Sequence, residues 1–237
     1  MTHSLAPLAL ALIPVRAGSK GLPGKNVRPF AGRPLYEHAV QQGCTVADRC
    51  IVSTDIADII ASGGPPGCDV RVRPANLAGD TAPMDAVITD AIVDAGLEAG
   101  TMVLLQATSP LRRNADIAAA VALYRTGAHN LVMSVSRTDP GPLKYGFMTD
   151  GTFCPVSGSR FCFANRQALP PLFRPNGAVY VFDIAWFLCN GSLATDRIGA
   201  VEMDASVSLD VDTLADFERA EALYLSSQAR DKPETTG

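Results

Sequence analysis

Aromatic residues are scarce in this sequence, and positive charge is not in excess. Aromatic residues make up 6% of the 237 positions, with a single Trp, and the formal net charge at pH 7 is −4. A broad nucleic-acid-binding face needs excess positive charge, and a base-stacking surface needs aromatic rings. The composition therefore argues against a nucleic-acid partner, although local clusters of basic residues remain compatible with it.

The spacings of a metal site and of a disulfide framework are also missing. None of the six cysteines forms a C-x-x-C pair, and the three histidines complete no zinc-site pattern. Six scattered thiols in a chain of this length favour a reducing compartment over a disulfide framework.

Long apolar runs are missing as well. The longest run near the start, residues 5–15, contains two prolines and is shorter than the roughly 20 residues that span a bilayer. It also lacks the basic region and the cleavage site of a signal peptide. We therefore expect a cytoplasmic protein with no membrane contact.

Ample core material is present, and it follows a regular order. Hydrophobic residues make up 47% of the chain and charged residues 19%. Short strands that are apolar on both faces alternate with helical periods, which predicts an α/β fold with a doubly wound, mostly parallel sheet in a three-layer sandwich. The expected strands are residues 8–14, 49–53, 69–72, 101–106, 130–135 and 177–182, and the expected helices are residues 34–45, 54–62, 84–97, 114–125 and 213–226.

Two segments depart from this pattern. Residues 137–175 are rich in Pro, Gly and Arg and have no clear period. We expect them to form an inserted arm that serves as a lid or as a dimerisation contact. Residues 229–237 are polar and are expected to form a flexible tail. Residues 1–228, including the arm, are expected to be one domain.

The densest cluster of glycine and positive charge follows the first expected strand. Residues 14–26 read P-V-R-A-G-S-K-G-L-P-G-K-N, with cations at Arg16, Lys20 and Lys25. A glycine-rich loop at the carboxyl end of a parallel strand can turn backbone N–H groups toward an anion, and nearby cations neutralise phosphate charge. The spacing matches neither the Walker A loop nor the Rossmann loop. We interpret it as a phosphate-binding loop of a third kind; the alternative is a solvated basic turn.

This loop belongs to a series of motifs that spans nearly the whole chain. After the loop come I-V-S-T-D at 51–55, V-R-P-A-N-L-A-G-D-T at 72–81, L-L-Q-A-T-S-P-L-R at 104–112, P-L-K at 142–144, F-R-P-N-G-A-V-Y-V at 173–181 and S-L-D-V-D-T at 208–213. The series resembles the CMP-sialic acid synthetases (acylneuraminate cytidylyltransferases), which activate nine-carbon acidic sugars. The resemblance implies a Rossmann-like nucleotidyltransferase fold. The sequence departs from the family at Val15, Ala107 and Pro83-Met84, where the family usually has Ala, Pro and serines near the base.

The resemblance implies a CTP site around the glycine-rich loop. The loop cations would hold the triphosphate and act in catalysis by stabilising the leaving pyrophosphate. Arg73 would lie at the nucleotide base, although as a bare sequence feature it could be a surface charge. The implied CTP-binding residues are Arg16, Gly18, Ser19, Lys20, Lys25, Asn26, Arg73 and Ala82, and the catalytic candidates are Arg16, Lys20, Lys25 and Asp212.

The acceptor sugar would lie at the end of the strand expected at 101–106, because ligands of open α/β sheets bind outside the carboxyl ends of strands. The alternative for Ser109 is capping of the helix that follows. In the family, a matching Lys and Arg from the arm can reach into the neighbouring subunit's site, which implies a homodimer. The expected acceptor-sugar residues are Gln106, Ser109, Arg112, Lys144, Arg166 and Tyr180.

Asp210 and Asp212 are the candidate metal ligands. A strand places residues i and i+2 on one face, where two carboxylates repel each other unless a cation lies between them. Mg²⁺ bound to nucleotide phosphates, for which Mn²⁺ could substitute, would be that cation. Asp212 is then also the candidate base. The alternative is an acidic helix entry with Asp212 or Thr213 as N-cap.

These residues predict a cytidylyltransferase that converts CTP and N-acylneuraminate into CMP-N-acylneuraminate and diphosphate. The anomeric hydroxyl of the sugar would attack the α-phosphorus in line. The same reaction on legionaminic, pseudaminic or 3-deoxy-octulosonic acid remains an alternative, as does a uridylyl- or guanylyltransferase acting on a sugar phosphate. A non-catalytic nucleotide-binding module is an alternative of another class. His38 lies on an apolar helix face and is expected to be a packed core residue.

Overall fold

The chain folds around a seven-stranded sheet, and a computed structural model describes residues 8–230. The strands are β1 (Leu8–Val15), β2 (Pro29–Phe30), β3 (Arg33–Pro34), β4 (Cys50–Thr54), β5 (Asp69–Val72), β6 (Thr101–Leu105), β7 (Leu131–Thr138), β8 (Gly146–Thr149), β9 (Thr152–Pro155), β10 (Leu172–Asp183) and β11 (Ile198–Glu202). The helices are α1 (Leu35–Val46), α2 (Ala57–Ser62), α3 (Met84–Asp94), α4 (Asn114–Tyr124), α5 (Ser159–Cys162), α6 (Ile184–Asn190) and α7 (Leu214–Arg230).

The large sheet has the strand order β11-β7-β10-β6-β1-β4-β5. Its neighbours pair in parallel, except that β10 runs antiparallel to both β6 and β7. The predicted doubly wound, mostly parallel sheet is therefore confirmed. Because β6, β1, β4 and β5 are parallel neighbours, the segments that follow them emerge at one edge of the sheet.

Helices cover both faces of the sheet, and β1 shows why. Its buried residues alternate between two apolar clusters, Leu10 and Leu12 facing one and Ala11 and Ile13 facing the other. The first cluster includes residues of α3 and α6, and the second includes residues of α1 and α4. A strand that is buried on both faces must be apolar throughout, as the continuous L-A-L-A-L-I-P-V of β1 is.

A third apolar cluster fixes the loops at the carboxyl edge of the sheet. Leu22 of the glycine-rich loop packs in it with Phe30, Leu111, Val211 and Phe217, of which Phe30 and Val211 are fully buried. Phe217 belongs to α7, so the last helix holds the glycine-rich loop and the segment around residue 211 together. This cluster positions the site described below.

The arm predicted at residues 137–175 leaves the sheet between β7 and β10. It contains the antiparallel hairpin of β8 and β9, the short helix α5 and two single 3-10 turns. The two ends of the arm, its roots, are paired in the sheet, because Thr138 at the end of β7 lies opposite Leu172 at the start of β10. The excursion is therefore shorter than predicted, since residues 137, 138 and 172–175 belong to the sheet.

Several boundaries differ from the sequence predictions. The predicted strands at 49–53 and 130–135 extend to Thr54 and Thr138, and the helix predicted from residue 84 ends at Asp94. Helix α6 and strand β11 were not predicted from the sequence. The tail predicted from residue 229 is wrong at residues 229–230, which continue α7; residues 231–237 lie outside the described part of the chain. Within residues 8–230, the helices fall short of the length and apolarity needed to cross a bilayer.

His38 is a packed core residue, as predicted. Its ring is buried, and Nε2 donates to the carbonyl oxygen of Phe30 at 2.9 Å. The ring also meets Phe30 and Tyr224 edge-on, at 5.2 and 5.0 Å between centroids. Burial lowers the pKa of His38, so the ring is neutral at pH 7.

Candidate active site

A cleft of about 310 Å³ opens at the carboxyl edge of the sheet. Its walls come largely from the segments that follow β1, β5 and β6, where ligands of open α/β sheets bind. The structure brings eight of the predicted site residues together there: Arg16, Ser19, Lys20, Lys25, Asn26, Arg73, Gln106 and Asp212.

Gly21 lets the glycine-rich loop approach the segment around residue 212. A Cβ atom at Gly21 would overlap the carbonyl oxygen of Asp212, so a larger residue would push the two segments apart. Gly24 has a φ of +67°, a conformation that favours glycine, and it precedes a 3-10 turn over Lys25–Val27. The loop thus folds back on itself and carries Lys25 into the cleft.

Asp80 binds two of the loop cations. Its carboxylate accepts hydrogen bonds from Arg16 Nη1 and from Lys20 Nζ, the latter at 3.0 Å. These bonds, Arg16 first, lower the pKa of Asp80, so the carboxylate is charged at neutral pH. Lys20 is 83% exposed and Arg16 34%, so solvent screens both ion pairs.

Lys25 is held more tightly than the other two loop cations. Its side chain is 11% exposed, and Nζ donates to the carbonyl oxygen of Val211 at 2.7 Å and to Asp212 Oδ1 at 2.8 Å. The backbone N–H of Val211 donates in turn to the carbonyl oxygen of Thr108 at 2.8 Å. One short network therefore connects the glycine-rich loop, the end of β6 and the acidic segment.

Asn26 and Asp55 fix the start of the loop. Asn26 Nδ2 donates to the carbonyl oxygen of Arg16 at 3.0 Å, and the backbone N–H of Ala17 donates to Asp55 Oδ1 at 2.8 Å. Asn26 is buried, and its Oδ1 has no hydrogen-bond partner within the described residues. A buried acceptor without a partner is costly, so Asn26 is suited to accept a hydrogen bond from a ligand in the cleft.

Arg73 is buried in the cleft wall, and the alternative interpretation as a surface charge is wrong. The residue is 5% exposed, and its guanidinium donates to the carbonyl oxygen of Ser53 at 2.7 Å and to Ser53 Oγ at 3.3 Å. Burial lowers the pKa of Arg73, while the charge of Asp55 opposes this shift. A buried cation bonded to neutral oxygens favours an additional anionic or polar ligand.

Asp210 and Asp212 lie in an irregular segment between β11 and α7, so the strand that was expected to place them on one face is absent. Asp210 is solvent-exposed as a residue, but the surrounding protein desolvates its carboxyl group and raises its pKa. The charge of Asp212 also raises the pKa of Asp210, whereas the hydrogen bond from the Thr108 hydroxyl lowers it.

The alternative role of Asp212 as a helix cap is wrong. Thr213 caps α7: its Oγ1 accepts from the Asp216 backbone N–H at 3.2 Å, and its own N–H donates to Asp216 Oδ2 at 2.9 Å.

The carboxylates of the two aspartates are the ligand type that a hard cation such as Mg²⁺ prefers. Asp212 lines the cleft beside the cations, whereas Asp210 lies outside the cleft lining. Within residues 8–230 no group of three or more His, Cys, Asp or Glu side chains is arranged to hold a metal ion. The protein would therefore supply only the two carboxylates. Mg²⁺ is usually bound in this way, with substrate phosphates and water completing its coordination.

The predicted acceptor residues do not all gather at the cleft. Gln106 lines it, whereas Ser109 is buried beside it and does not cap α4, whose N-cap is Arg113. Tyr180 is half-buried, and burial raises its pKa. Lys144 and Arg166 lie in the arm, where Arg166 pairs with Asp139 at 3.2 Å.

Of the predicted CTP residues, Gly18 and Ala82 lie outside the cleft lining.

Arg112 is almost fully buried and is bonded to protein oxygens, and its predicted contact with the acceptor sugar stays a prediction. It is 2% exposed, and its guanidinium donates to the carbonyl oxygens of Gln106 and Ala178 and to Gln42 Oε1. These bonds tie the end of β6 to β10 and α1. Burial lowers the pKa of Arg112 to about 9, which leaves it protonated at neutral pH.

A larger cavity, of about 520 Å³, lies between α1, α7 and residues 110–114. Its two arginines are already engaged, Arg112 as described and Arg113 with Asp116 at 2.8 Å. The cluster of loop cations lies in the smaller cleft, which is therefore the candidate active site.

Two carboxylates of the site, Asp80 and Asp55, have contacts that were not predicted from the sequence. Asp80 lies inside the quoted motif at 72–81, after a strand that ends at the carboxyl edge of the sheet. A carboxylate placed at the same edge as three loop cations was the signal that could have identified it. Met84, one of the positions where the sequence departs from the family, also lines the cleft.

Comparison with known proteins identifies the family of the chain. The model of the family described as "Cytidylyltransferase" matches residues 10–143. The chain belongs to the cytidylyltransferase family. It is 33% identical over 213 residues to an N-acylneuraminate cytidylyltransferase of Streptococcus agalactiae, covering 88% of this chain and 51% of that protein. It is 30% identical over 234 residues to the CMP-N,N'-diacetyllegionaminic acid synthase of Legionella pneumophila, covering 92% and 97%. The chain thus spans about half the length of the first of these relatives.

Two solved structures of other proteins share this architecture. A CMP:2-keto-3-deoxy-manno-octonic acid synthetase, solved in complex with CTP, superposes with a TM-score of 0.68 at 18% identity, covering 93% of this chain and 99% of that one. A 4-diphosphocytidyl-2C-methyl-D-erythritol synthase superposes with a TM-score of 0.61 at 15% identity, covering 93% and 100%. At these identities the likeness concerns the fold.

Proposed function

We propose that this cytidylyltransferase converts CTP and N-acylneuraminate into CMP-N-acylneuraminate and diphosphate. The observation that carries the proposal is the convergence of Arg16, Lys20, Lys25 and Arg73 on one cleft at the carboxyl edge of the sheet. A nucleoside triphosphate is a ligand with enough negative charge for four cations. The relative from Streptococcus agalactiae supports CTP and a sialic acid as the substrates.

The reaction needs positioning and charge stabilisation more than covalent chemistry by the protein. The anomeric hydroxyl of the sugar attacks the α-phosphorus of CTP, and pyrophosphate leaves in line. Arg16, Lys20 and Lys25 donate hydrogen bonds to the phosphate oxygens and stabilise the charge that develops on the leaving group. Asn26 Oδ1 accepts a hydrogen bond from the nucleoside, and Arg73 lies at the base.

Mg²⁺, with Mn²⁺ as a substitute, is the proposed cofactor at Asp210 and Asp212. When bound it would neutralise phosphate charge and make the attacking hydroxyl more acidic. Asp212, directly or through a water molecule, would accept the proton of that hydroxyl. Asp212 would then exchange its bond with Lys25 for contacts in the loaded site, which frees Lys25 for the phosphates.

The acceptor belongs to the acidic 2-keto sugars. Gln106 at the cleft and Tyr180 on the neighbouring strand β10 are the proposed acceptor contacts, with Lys144 and Arg166 of the arm as candidates for the sugar carboxylate. The relative from Legionella pneumophila, which matches almost along its whole length, supports legionaminic acid as the alternative acceptor. Pseudaminic acid and 3-deoxy-octulosonic acid are further alternatives.

A homodimer in the cytoplasm is the proposed state of the protein. The arm exposes an unusual set of large apolar side chains: Tyr145, Phe147, Met148, Phe153, Val156 and Phe163. Phe163 is 91% exposed and Phe147 70%. Apolar patches of this kind favour a subunit contact. A second subunit would also bring Lys144 and Arg166 toward the site of its partner.

Product mass analysis tests the function. The protein is incubated with Mg²⁺, one nucleoside triphosphate from CTP, UTP, ATP and GTP, and one sugar from N-acetylneuraminic, legionaminic, pseudaminic and 3-deoxy-octulosonic acid. We expect a CMP-sugar and pyrophosphate from CTP alone, with the highest yield from N-acetylneuraminic acid. Equal turnover of UTP or ATP would contradict the base assignment, and binding of CTP without any product would favour a non-catalytic module.

A further inference from the structure

Asp80 occupies the place between two phosphate-binding cations. Its two carboxylate oxygens accept from Arg16 Nη1 and Lys20 Nζ. Carboxylate and phosphate oxygens accept hydrogen bonds from the same donors, Arg and Lys. A polyphosphate can therefore take up Arg16 and Lys20 fully only when Asp80 gives them up.

Three of the four cations in the cleft are already paired with carboxylates. Of the four cations, Arg16 and Lys20 are paired with Asp80, and Lys25 with Asp212. Each ion pair in the ligand-free protein lowers the net attraction for an anionic ligand, because the pair must first be broken. Asp80 accounts for two of these three pairs.

Asp80 is free to leave its position at small cost. It lies in the turn from Gly79 to Ala82, where the Ala82 N–H donates to the Gly79 carbonyl oxygen at 3.2 Å. The residue is exposed and belongs to none of the three apolar clusters. A rotation of its side chain would therefore release both cations without disturbing the core.

We propose that Asp80 is a resident competitor of the pyrophosphate group. It holds Arg16 and Lys20 in the cleft while the nucleotide is absent, and it takes them back from pyrophosphate after the reaction, so that the product leaves. Asp80 acts through the two cations and is a positioning residue. The proposal depends on the proposed function for the identity of the natural ligand.

Binding of inorganic pyrophosphate to the full chain tests the proposal, measured by calorimetry in a chelator so that no metal takes part. Asp80→Asn keeps the shape of the side chain and removes its charge. We expect the Kd for pyrophosphate to fall by about two- to thirtyfold, the range that corresponds to two exposed ion pairs. Asp48→Asn is the matched control, since it removes the same charge from an exposed residue just before the amino end of β4. It should leave the Kd unchanged.

A second background separates competition from a general loss of negative charge. In a Lys20→Met protein one of the two competing pairs is already absent, so Asp80→Asn should improve pyrophosphate binding by a smaller factor than in the native protein. An unchanged or weaker affinity in Asp80→Asn, or an equal gain in Asp48→Asn, would overturn the proposal. If Asp80→Asn does not fold, Asp80→Ser replaces it; failure of both to fold would assign Asp80 to stability and also overturn the proposal.

This experiment is independent of the proposed function. It contains neither CTP nor a sugar, so a lack of CMP-sugar synthesis would overturn the proposed function and leave the competition intact. Conversely, if the enzyme is active but Asp80→Asn has the same Kd for pyrophosphate as the native protein, only the competition proposal is overturned.

Discussion

Lys20 and Lys25 belong to the same loop but differ in what surrounds them. Lys20 is 83% exposed and pairs with Asp80, whereas Lys25 is 11% exposed and bonded to the acidic segment. The fold therefore depends on Lys25 more than on Lys20. This difference makes Lys20 the better probe of catalysis.

Lys20→Ala should lower kcat/KM for CTP by roughly 10²-fold or more, because it removes a cation that stabilises the leaving group. The melting temperature should stay within about 2–4 °C of the native value, since an exposed ion pair contributes little to stability. Steady-state kinetics and thermal unfolding check both parts. Arg49→Ala, which removes a partly exposed cation that pairs with Asp69 at the amino end of β4, is the control. Near-native turnover in Lys20→Ala would favour the alternative interpretation of the loop as a solvated basic turn.

The two aspartates should respond differently to removal of their charge. A raised pKa means that folding favours the protonated form of Asp210, so its ionisation costs stability as pH rises above the unfolded value of 3.8. In a chelator, Asp210→Asn should therefore raise the melting temperature at pH 7, and this gain should vanish below pH 3.8. Asp212→Asn should lower it at pH 7, because Lys25 loses its carboxylate partner. A pH series of thermal unfolding curves compares the two variants.

Both aspartate variants should lose most of their Mg²⁺-dependent activity, because each removes a charged oxygen from a hard-metal site. A titration of activity with Mg²⁺ measures this loss, and a chelator should abolish activity in the native protein. Retained activity in both variants would place the metal elsewhere.

At the scale of the element, the glycine-rich loop depends on its contact with the acidic segment. Gly21→Ala should lower both stability and activity, because the new Cβ would overlap the Asp212 carbonyl oxygen. Gly18→Ala is a matched variant: its Cβ would meet only Arg16 Nη1 at 3.9 Å, an ordinary contact. We expect thermal unfolding to show a lower melting temperature for Gly21→Ala and an unchanged one for Gly18→Ala. Equal melting temperatures would contradict the close approach of the two segments.

Elements with a strong apolar period were predictable from the sequence, and those held by long-range contacts were not. The buried strands β1, β4 and β6 were predicted because their residues are apolar on both faces. The strand β11 was missed because its buried position is Gly199 and its exposed positions include Ile198 and Ala200, so its sequence shows no polar–apolar alternation. The helix α6 has only seven residues, between the N-cap Asp183 and the C-cap Gly191. Such a short run of residues does not show a recognisable helical period.

The site was predictable to a similar degree. Loop cations at a strand end pointed to the cleft, because the position of a strand end follows from the sheet. The pairing of Asp80 with Arg16 crosses 64 positions of sequence, and the burial of Arg112 depends on α1 and β10. Contacts of this kind depend on the packing of several elements and have no signature in a local motif.

At the scale of the whole molecule, the exposed aromatic residues of the arm predict the oligomeric state. Light scattering at micromolar concentration should give about 50 kDa, twice the 24.9 kDa of one chain. Replacing Phe147 and Phe163 by Asp should shift the protein to the monomer, because a charge in an apolar contact is strongly unfavourable. Val93→Asp, a change at a 66% exposed apolar residue of α3, should leave the dimer intact. A native protein of one chain's mass would contradict the arm as a subunit contact.

The paired roots of the arm have a consequence for how such a protein can change over evolutionary time. Thr138 and Leu172 lie opposite each other in the ladder of β7 and β10, so the whole arm is topologically the loop of a hairpin. Loops of this kind can lengthen, shorten or be exchanged at little cost to the sheet that carries them. The part of the molecule that would meet a partner or a sugar can therefore diversify independently, while the cleft that would handle the nucleotide stays as it is.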